Sequence, residues 1–363
     1  MSAPVEVRLD DAEGPTVLGM RVRERNRRVA MHAGAIVGTD ASASDRPGAE
    51  ARATLEVPSH VVIEAALFDH LPAPGTSAWL TSPAQAARLP WEAPGDDAPE
   101  RPLPEGVFYD VADPSVVGSV ERALLRHTQK PTDGVVSRHI NRPQSRLFSR
   151  AFLRLGLGPN HASCVSACIG LASGWFAAQP GWFGVALAGV FFQLASMFDG
   201  VDGEMARVTV RQSALGAKID TAVDNGTYLV CLVGFAVGWV REGVGPAQLA
   251  LAIVMVVGVV VVLLQALVFV RRYAPDASFV FVDTCVRRAA RTSSAPTLRA
   301  AGWFFYLFRR DVLALALMLV ALTGSRAAIV GLVLAGLLAA SFTLLVHRRA
   351  LVRAALEETS PVP

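Results

Sequence analysis

The chain has 363 residues, 52% of them hydrophobic, and its mean hydropathy is +0.39. This composition excludes an ordinary soluble two-domain protein, and a membrane part is therefore predicted. The formal net charge of +3 averages a mixed-charge N-terminal part and arginine-rich loops, and no base-reading motif accompanies the arginines, which argues against a nucleic-acid partner. The four cysteines lack CxxC spacing and are typical of small core residues rather than of a zinc site or a disulfide framework.

Residues 1–136 are predicted to form a small cytosolic α/β domain. Strand-like runs such as Val61–Glu64 and Gly106–Val111 are separated by proline-rich loops. The alternating Arg21, Arg23 and Arg25 indicate one face of a further strand. The acidic N-terminal segment lacks the basic and apolar regions of a signal peptide, so we expect this domain in the cytoplasm.

Residues 137–157 are predicted to form an amphipathic helix in the membrane interface. Apolar side chains recur at helical spacing on one face and arginines occupy another; they are Leu147, Phe148, Phe152 and Leu155, and Arg146, Arg150 and Arg154. This pattern suits a helix with its apolar side in lipid and its arginines among lipid phosphates. A surface helix of the soluble domain is the alternative.

Residues 158–350 are predicted to form an all-α membrane domain of six transmembrane helices. Apolar windows lie at about 161–179, 183–205, 214–240, 247–270, 307–323 and 327–346. The arginine-rich 271–310 loop and the tail with Arg348, Arg349 and Arg353 are expected on the cytoplasmic side by the positive-inside rule. The chain is therefore predicted to be a multi-pass protein of the cytoplasmic (inner) membrane, with both termini in the cytoplasm.

Four aspartates in or beside the second and third predicted spans need a functional explanation; they are Asp199, Asp202, Asp220 and Asp224. An ionised aspartate at the bilayer centre costs roughly 2.5 to 3.5 kcal/mol on insertion scales, and packing alone would not place four of them there. A helical period puts Asp199 and Asp202 on one side of the second span, and Asp220 and Asp224 form one row on the third.

A short polar turn joins these two spans, which predicts antiparallel neighbours whose acidic faces meet. Clustered carboxylates repel each other unless cations neutralise them, and hard oxygen ligands select Mg²⁺, Mn²⁺ or Ca²⁺. The small residues Gly203, Ala206 and Gly216 leave room for a ligand beside the backbone, and Arg207 is suited to phosphate. Together these features indicate a divalent metal site that binds a nucleotide diphosphate, although plain helix packing would explain the small residues alone.

The pattern D-x2-D-G-x2-A-R-x8-G-x3-D-x3-D, from Asp199 to Asp224, resembles the signature of the CDP-alcohol phosphotransferases, also called CDP-alcohol phosphatidyltransferases, in every fixed position. The resemblance covers about residues 140–347. It implies a homodimeric enzyme in which Asp199, Asp202 and Asp220 hold two Mg²⁺ or Mn²⁺ ions, while Asp224 completes the site and acts as the catalytic base. It also implies contacts with the CDP-alcohol from six residues: Asn160, Gly203, Ala206, Arg207, Ser213 and Gly216.

The segment 130–142 and Ser145 resemble the junction in fused enzymes that make inositol-phosphate diesters, in which a nucleotidyltransferase precedes the membrane domain. Segments 17–34 and 109–124 are similar to pieces of that nucleotidyltransferase, but its glycine-rich basic loop is missing here. We therefore expect a degenerate, inactive nucleotidyltransferase-like domain. Possible contacts with an acceptor phosphate are Arg138, Arg142, Arg146 and Arg310; for the first three, anchoring to anionic lipid is an equal alternative.

Three functions follow from these patterns. The first is a membrane phosphotransferase that moves a phospho-alcohol from a CDP-alcohol to a second alcohol, such as an inositol-phosphate-like acceptor, and releases CMP. The second is a phospholipid head-group synthase that uses CDP-diacylglycerol, of the phosphatidylinositol-phosphate or phosphatidylglycerophosphate synthase type. The third, from another class, is a cation transporter with intramembrane carboxylates.

Overall fold

A computed structural model of the chain describes residues 5–10, 12, 14–38, 53–82, 88–130, 133–274, 280–292, 296–307 and 309–359. Residues 131 and 132 of the junction segment lie outside this set. The chain forms two compact units. The first comprises Met1–Lys130, Arg146–Ala162 and Val201–Ala214, and the second comprises Pro131–Ser145, Ser163–Gly200 and Leu215–Pro363.

The N-terminal part of the first unit is an α/β structure. Its strands are β1 (Glu6–Leu9), β2 (Thr16–Val17), β3 (Met20–Arg21), β4 (Ile36–Gly38), β5 (Thr54–Val57), β6 (Val61–Ile63), β7 (Ala78–Thr81), β8 (Arg88–Trp91), β9 (Glu100–Pro102) and β10 (Phe108–Asp110). Its helices are α1 (Val22–His32) and α2 (Pro114–His127), with a 3₁₀ turn at Ala65–His70.

Six of these strands form one mixed sheet in the order β4-β1-β5-β8-β7-β9. Strand β1 is parallel to both β4 and β5, whereas β8 is antiparallel to β5 and β7. The two predicted strand runs are confirmed: β10 pairs antiparallel with β6, and Tyr109 lies opposite Val62. Apolar residues of both sheets, including the fully buried Leu55 and Trp91 of the mixed sheet and Phe108 of β10, form the core beneath α1.

The prediction of a strand for Arg21, Arg23 and Arg25 is wrong, because only Arg21 ends a strand and the other two lie on α1. Helix α1 buries Val22, Arg25, Asn26, Val29 and Ala30 on one face, which is a helical and not an alternating period. Arg25 is not a solvated charge: its Nη1 donates to the carbonyl of Ile63 at 2.7 Å. Packing of the apolar helix face against the sheet therefore determines the secondary structure of this segment, and the local alternation of arginines does not.

A π-helical turn at Ser137–Asn141 leads into α3 (Arg142–Arg154), so the predicted helix at 137–157 is present. The expected orientation of its arginines toward lipid is wrong, because Arg150 Nε and Arg154 Nη2 lie 2.8 and 2.6 Å from the carboxylate of Glu121 on α2. Glu121 is 3% exposed, and its other oxygen accepts the Leu18 amide at 3.0 Å. Leu147 on α3 and Leu155, just beyond its end, do remain exposed.

The remaining helices are α4 (Pro159–Ala177), α5 (Gly181–Val208), α6 (Ala214–Arg241), α7 (Pro246–Tyr273), α8 (Val280–Thr292), α9 (Pro296–Leu307), α10 (Arg310–Ala321), α11 (Arg326–Val346) and α12 (Arg348–Thr359). Within the described part of the chain, six of them (α4, α5, α6, α7, α10 and α11) contribute buried residues to one apolar core in the second unit.

Four of the helices, α5, α6, α7 and α11, are long and apolar enough to cross a membrane. They correspond to the second, third, fourth and sixth predicted spans. The first predicted span coincides with α4, which has 19 residues but begins with the polar Asn160 and His161. The fifth coincides with α10, which has only 12 residues against the about 20 that a bilayer requires. The count of six membrane crossings therefore stays a prediction.

Glycines allow α4 and α6 to pack backbone against backbone. A Cβ atom at Gly170 would overlap the Thr227 side chain, and one at Gly174 would overlap Val230. From the other side, a Cβ at Gly234 would overlap the Gly174 carbonyl. Glycines spaced four residues apart on each helix produce this close approach, as in membrane helix pairs. It fixes the position of α6, on which two of the predicted metal ligands lie.

A buried arginine joins three helices of the bundle where α4 and α6 end and α11 begins. Arg326, 3% exposed at the start of α11, donates from Nη1 to the Ala177 carbonyl at the end of α4 at 2.6 Å. Its Nε donates to Glu242, just past the end of α6, at 3.0 Å. A cation at a helix C-terminus satisfies carbonyls that lack intrahelical partners. The ends of α4, α6 and α11 are thereby held together.

Replacing Glu121 with glutamine tests the attachment of α3. Burial alone would raise the pKa of Glu121, but the Leu18 amide and the two arginines outweigh it and the pKa is lowered. We expect Glu121→Gln to reduce the free energy of unfolding by about 2 kcal/mol at neutral pH. Because the folded-state pKa is depressed, this contribution is present above the ordinary glutamate pKa and is lost as pH falls through the folded-state value.

The measurement is thermal unfolding of the full chain in detergent between pH 3 and 8. The control is Glu100→Gln, which breaks an ion pair with Arg88 whose side chains are 51% and 57% exposed. Such a surface pair is worth only about 0 to 1 kcal/mol. Equal losses for the two variants, or a Glu121→Gln loss that does not shrink in acid, would contradict this account of α3.

Candidate active site

Three of the four predicted metal ligands converge in the second unit. Carboxylate oxygens of Asp199, Asp220 and Asp224 all lie within 4.8 Å of one another, and each side chain is partly buried. Asp199 comes from the C-terminal part of α5, whereas Asp220 and Asp224 lie one turn apart in the first part of α6. The predicted antiparallel approach of the two acidic helix faces is therefore present in the structure. We call these three residues the carboxylate cluster.

The carboxylate cluster is joined by a cation from a distant part of the chain. Arg310, the first residue of α10, places Nη1 2.6 Å from Oδ1 of Asp199 and also contacts Oδ2 of Asp224. Its guanidinium carbon lies 5.9 Å from the ring centroid of Tyr228, one turn beyond Asp224 on α6. Tyr228 in turn packs edge-on against Phe192 of α5. Arg310 is thus held by two carboxylates and an aromatic ring.

The donor set of the carboxylate cluster fits a divalent cation. Three carboxylates within one coordination radius supply only hard oxygen ligands, which suit Mg²⁺, Mn²⁺ or Ca²⁺ and not a soft metal. One guanidinium leaves the group with excess negative charge when all three carboxylates are ionised. Partial exposure of Asp199 and Asp224, 27% and 25%, leaves the oxygens accessible from solvent.

The fourth predicted ligand, Asp202, is not one of these three converging residues. It lies one turn beyond Asp199 on α5, where Asp199 and Asp202 share a helix face, and it is 8% exposed. Its Oδ1 accepts the backbone amide of Gly203 at 2.6 Å. A role for Asp202 as a metal ligand stays a prediction.

The residues predicted to contact the nucleotide lie at or next to the ends of α4, α5 and α6. In the first unit, a Cβ added at Gly203 would lie 3.1 Å from the guanidinium of Arg207, so the absent side chain leaves room for that arginine. Ala206 is partly buried on the same helix, and Ser213 is exposed just before α6 begins. In the second unit, Gly216 is partly buried, one turn before Asp220. Asn160, in the first turn of α4, is exposed.

The predicted acceptor arginines have partners in the protein. Arg142 forms a bidentate pair with Asp133, with N···O distances of 2.8 and 3.0 Å, and both side chains are nearly buried. Arg146 donates to Gln129 at 2.8 Å, and Arg138 donates to the Asp133 carbonyl at 3.5 Å. Arg142 also packs against Gly200, where a Cβ would lie 2.9 Å from Nη1. It is therefore next to Asp199, and its role toward an acceptor stays a prediction.

Two further residues near the site escaped the sequence interpretation. Asp133 neutralises Arg142, and Tyr228 supports Arg310; Tyr228 had a detectable signal, its spacing of four residues from Asp224. For Asp311 the sequence left two interpretations open, a place in the acceptor pocket or pairing with Arg309 and Arg310. Asp311 accepts the amide of Ser137 at 2.9 Å and lies 3.6 Å from Arg309 Nε, so it anchors the π-helical turn as well as pairing with an arginine.

The described residues form a mostly helical protein with four helices that are long and apolar enough to cross a membrane, and with three converging carboxylates whose donor set fits a divalent cation. Residues 157–324 match the family of CDP-alcohol phosphatidyltransferases, and this part of the chain is a domain of that family. The resemblance carried by the Asp199–Asp224 motif is therefore confirmed. The match spans both helices of the carboxylate cluster and includes Arg310.

Part of the chain is also similar to curated proteins. The chain is 36% identical over 129 residues to the "Bifunctional IPC transferase and DIPP synthase" of Thermococcus kodakarensis, covering 34% of this chain and 29% of that protein. The protein of the same name from Rubrobacter xylanophilus is 35% identical over 149 residues, which cover 41% and 33%. That from Archaeoglobus fulgidus is 33% identical over 120 residues, which cover 33% and 24%. The chain thus spans about a quarter to a third of the length of these relatives.

Replacing Asp199 with asparagine tests the cluster as a metal site. The change removes one of three converging carboxylates while keeping the size of the side chain. We expect the affinity for Mn²⁺ to fall roughly tenfold or more. Electron paramagnetic resonance of Mn²⁺ titrated into the purified chain measures this affinity without any turnover. Glu357→Gln, which removes one negative charge from α12, is the control, and an equal affinity in the two variants would contradict the metal site.

Proposed function

We propose that this protein is a membrane phosphotransferase that transfers a phospho-alcohol from a CDP-alcohol to a second alcohol and releases CMP. The observation that carries the proposal is the convergence of Asp199, Asp220 and Asp224 with Arg310 inside a CDP-alcohol phosphatidyltransferase domain. Family membership explains carboxylates in apolar helices, so the transporter alternative has no separate observation in its favour.

In the proposed reaction, Asp224 accepts the proton of the acceptor hydroxyl. The oxygen then forms a bond to the β-phosphorus of the CDP-alcohol, and the bond from that phosphorus to CMP breaks. Asp199, Asp202 and Asp220 would hold two Mg²⁺ or Mn²⁺ ions, which supply stabilisation of the charge on the phosphoryl oxygens when bound. Orientation of the two substrates and neutralisation of charge account for most of the rate.

Asn160, Gly203, Ala206, Arg207, Ser213 and Gly216 are proposed to bind the CDP-alcohol. Arg310 is proposed to face the acceptor, because its guanidinium lies against Asp224, the proposed base. A planar guanidinium is suited to a phosphate on that acceptor. Arg142 lies beside Gly200 and would add a second cation, with Asp133 holding its orientation.

An inositol-phosphate-like acceptor is the preferred substrate class. The names of three curated relatives describe an IPC transferase and DIPP synthase, and the 130–142 segment resembles the junction of such fused enzymes. A head-group synthase that uses CDP-diacylglycerol remains the second candidate. Extraction of the product into an organic or an aqueous phase distinguishes them.

We also propose that the six bundle helices all cross the cytoplasmic membrane, with both termini in the cytoplasm, and that the protein is a homodimer. The shared apolar core of α4, α5, α6, α7, α10 and α11 supports six crossings. The arginine-rich connection after α7 supports the orientation. A site near the ends of the helices would admit a polar nucleotide from water.

Asp224→Asn tests the proposed base. The variant keeps the shape of the side chain and the other carboxylates, but asparagine does not accept the proton. We expect CMP release to fall about a hundredfold or more, whereas binding of CMP in the presence of Mg²⁺ changes by less than about tenfold. Rapid chemical quench of CMP release and equilibrium dialysis of labelled CMP measure the two quantities. Near-normal CMP release would exclude Asp224 as the base, and Glu357→Gln should match the parent chain in both assays.

The N-terminal α/β region is proposed to be inactive as a nucleotidyltransferase. A triphosphate requires several backbone amides and a cation that converge on it, and the sequence of this region has no glycine-rich basic loop to supply them. We expect the full chain to release no pyrophosphate from CTP with inositol phosphate or a sugar phosphate. A coupled pyrophosphate assay with a separately active nucleotidyltransferase as positive control checks this, and CTP-dependent pyrophosphate release would overturn the proposal.

A further inference from the structure

Helices α8, α9 and α12 form a small amphipathic assembly at the ends of two candidate membrane spans. Helix α8 buries Val282, Cys285, Val286 and Ala289 at helical spacing, against α9 and α12. The same apolar cluster includes Phe269 and Val270 at the end of α7, and Leu344 at the end of α11. Helices α7 and α11 are long and apolar enough to cross a membrane and end here, so the membrane crossings proposed above would put this assembly at a membrane surface.

The face of α8 opposite its apolar residues opens into a basic cleft. The cleft has a volume of about 430 Å³ and is lined by Arg287, Ala290, Arg291, Arg299 and Gly302. Gly302 shapes it, since a Cβ there would lie 2.6 Å from that of Ala290, and α9 approaches α8 closely at this point. Among the described residues that line the basic cleft, none carries a carboxylate.

The basic cleft has three arginines, and among the described residues only one of them, Arg287, pairs with a carboxylate. Arg287 pairs with Asp283 at 2.9 Å. Among the described residues, no ion pair or hydrogen bond engages the side chain of Arg291 or Arg299, and both residues are exposed. Arg287 and Arg291 are one turn apart on α8, where like charges repel by a few tenths of a kcal/mol. A bound anion would remove this repulsion.

We propose that the basic cleft binds the phosphate group of an anionic membrane phospholipid. Guanidinium groups match phosphate oxygens in geometry and charge, and the cleft lies where span ends and lipid headgroups coincide. The exposed Trp303, next to Gly302, is typical of the same interfacial level. The cleft shares no residue with the carboxylate cluster, so this site does not depend on the proposed phosphotransferase activity.

The test is native mass spectrometry of the full chain in detergent micelles titrated with dioctanoyl phosphatidylglycerol. Arg291→Gln/Arg299→Gln should weaken the apparent affinity roughly tenfold to thirtyfold, since each arginine near an anionic surface contributes about a fivefold factor. The charge-matched control is Arg288→Gln/Arg353→Gln: Arg288 pairs with Glu357 and neither residue lines the cleft. This control should change the affinity less than about threefold.

A second variant and a second lipid test the proposal further. Arg291→Lys/Arg299→Lys should retain an intermediate affinity, because it keeps the charge but loses bidentate contacts. Dioctanoyl phosphatidylcholine, which has no net charge, should bind much more weakly than phosphatidylglycerol. Equal losses in the cleft and control variants, or equal binding of the two lipids, would overturn the proposal. If inorganic phosphate at the same concentration displaced the anionic lipid fully, the assignment to a lipid would be wrong.

Discussion

Charge balance at the carboxylate cluster is the constraint on which the helical part of the protein depends. Three carboxylates lie within 4.8 Å of one another on two largely apolar helices, and their mutual repulsion in such surroundings is expensive. Arg310 offsets part of this repulsion only because α10 begins beside Asp199 and Asp224. The position of α10, the aromatic support from Tyr228 and the tight packing of α4 on α6 all serve that arrangement.

The acidic motif could be predicted from sequence because helical periodicity relates its members. Asp220 and Asp224 are four residues apart, so they share one face of the helix wherever the helix begins. The short connection between α5 and α6 predicts that the two helices are antiparallel neighbours. Arg310 is different: its distance from the motif along the chain leaves its partner undetermined until α10 is in place. The same holds for the hydrogen bond from the Ser137 amide to Asp311, because 174 residues separate the two partners.

Two other differences between prediction and structure concern arginines, because a sequence pattern does not identify the partner of a charged side chain. The arginines of α3 have the period of an interfacial helix, but periodicity does not distinguish a lipid phosphate from the buried carboxylate of Glu121, which binds two of them. The arginines between α7 and α10 indicate orientation in a membrane as a group, yet structurally they differ. Arg288 and Arg309 have acidic partners outside the basic cleft. Arg287 has an acidic partner and also lines the basic cleft, together with Arg291 and Arg299.

The glycine contacts between α4 and α6 have a consequence for sequence variation. Most helix interfaces are formed by side chains that a substitution can either shorten or lengthen. Shortening a side chain loosens the packing of the interface, and lengthening it overpacks the interface. At Gly170, Gly174 and Gly234 nothing remains to shorten, and any replacement adds atoms where the opposite helix already lies. A substitution at these positions can therefore only enlarge the residue. Such a substitution in one helix requires a compensating change in the other helix. This contact fixes the distance between α4 and α6, and α6 carries Asp220 and Asp224.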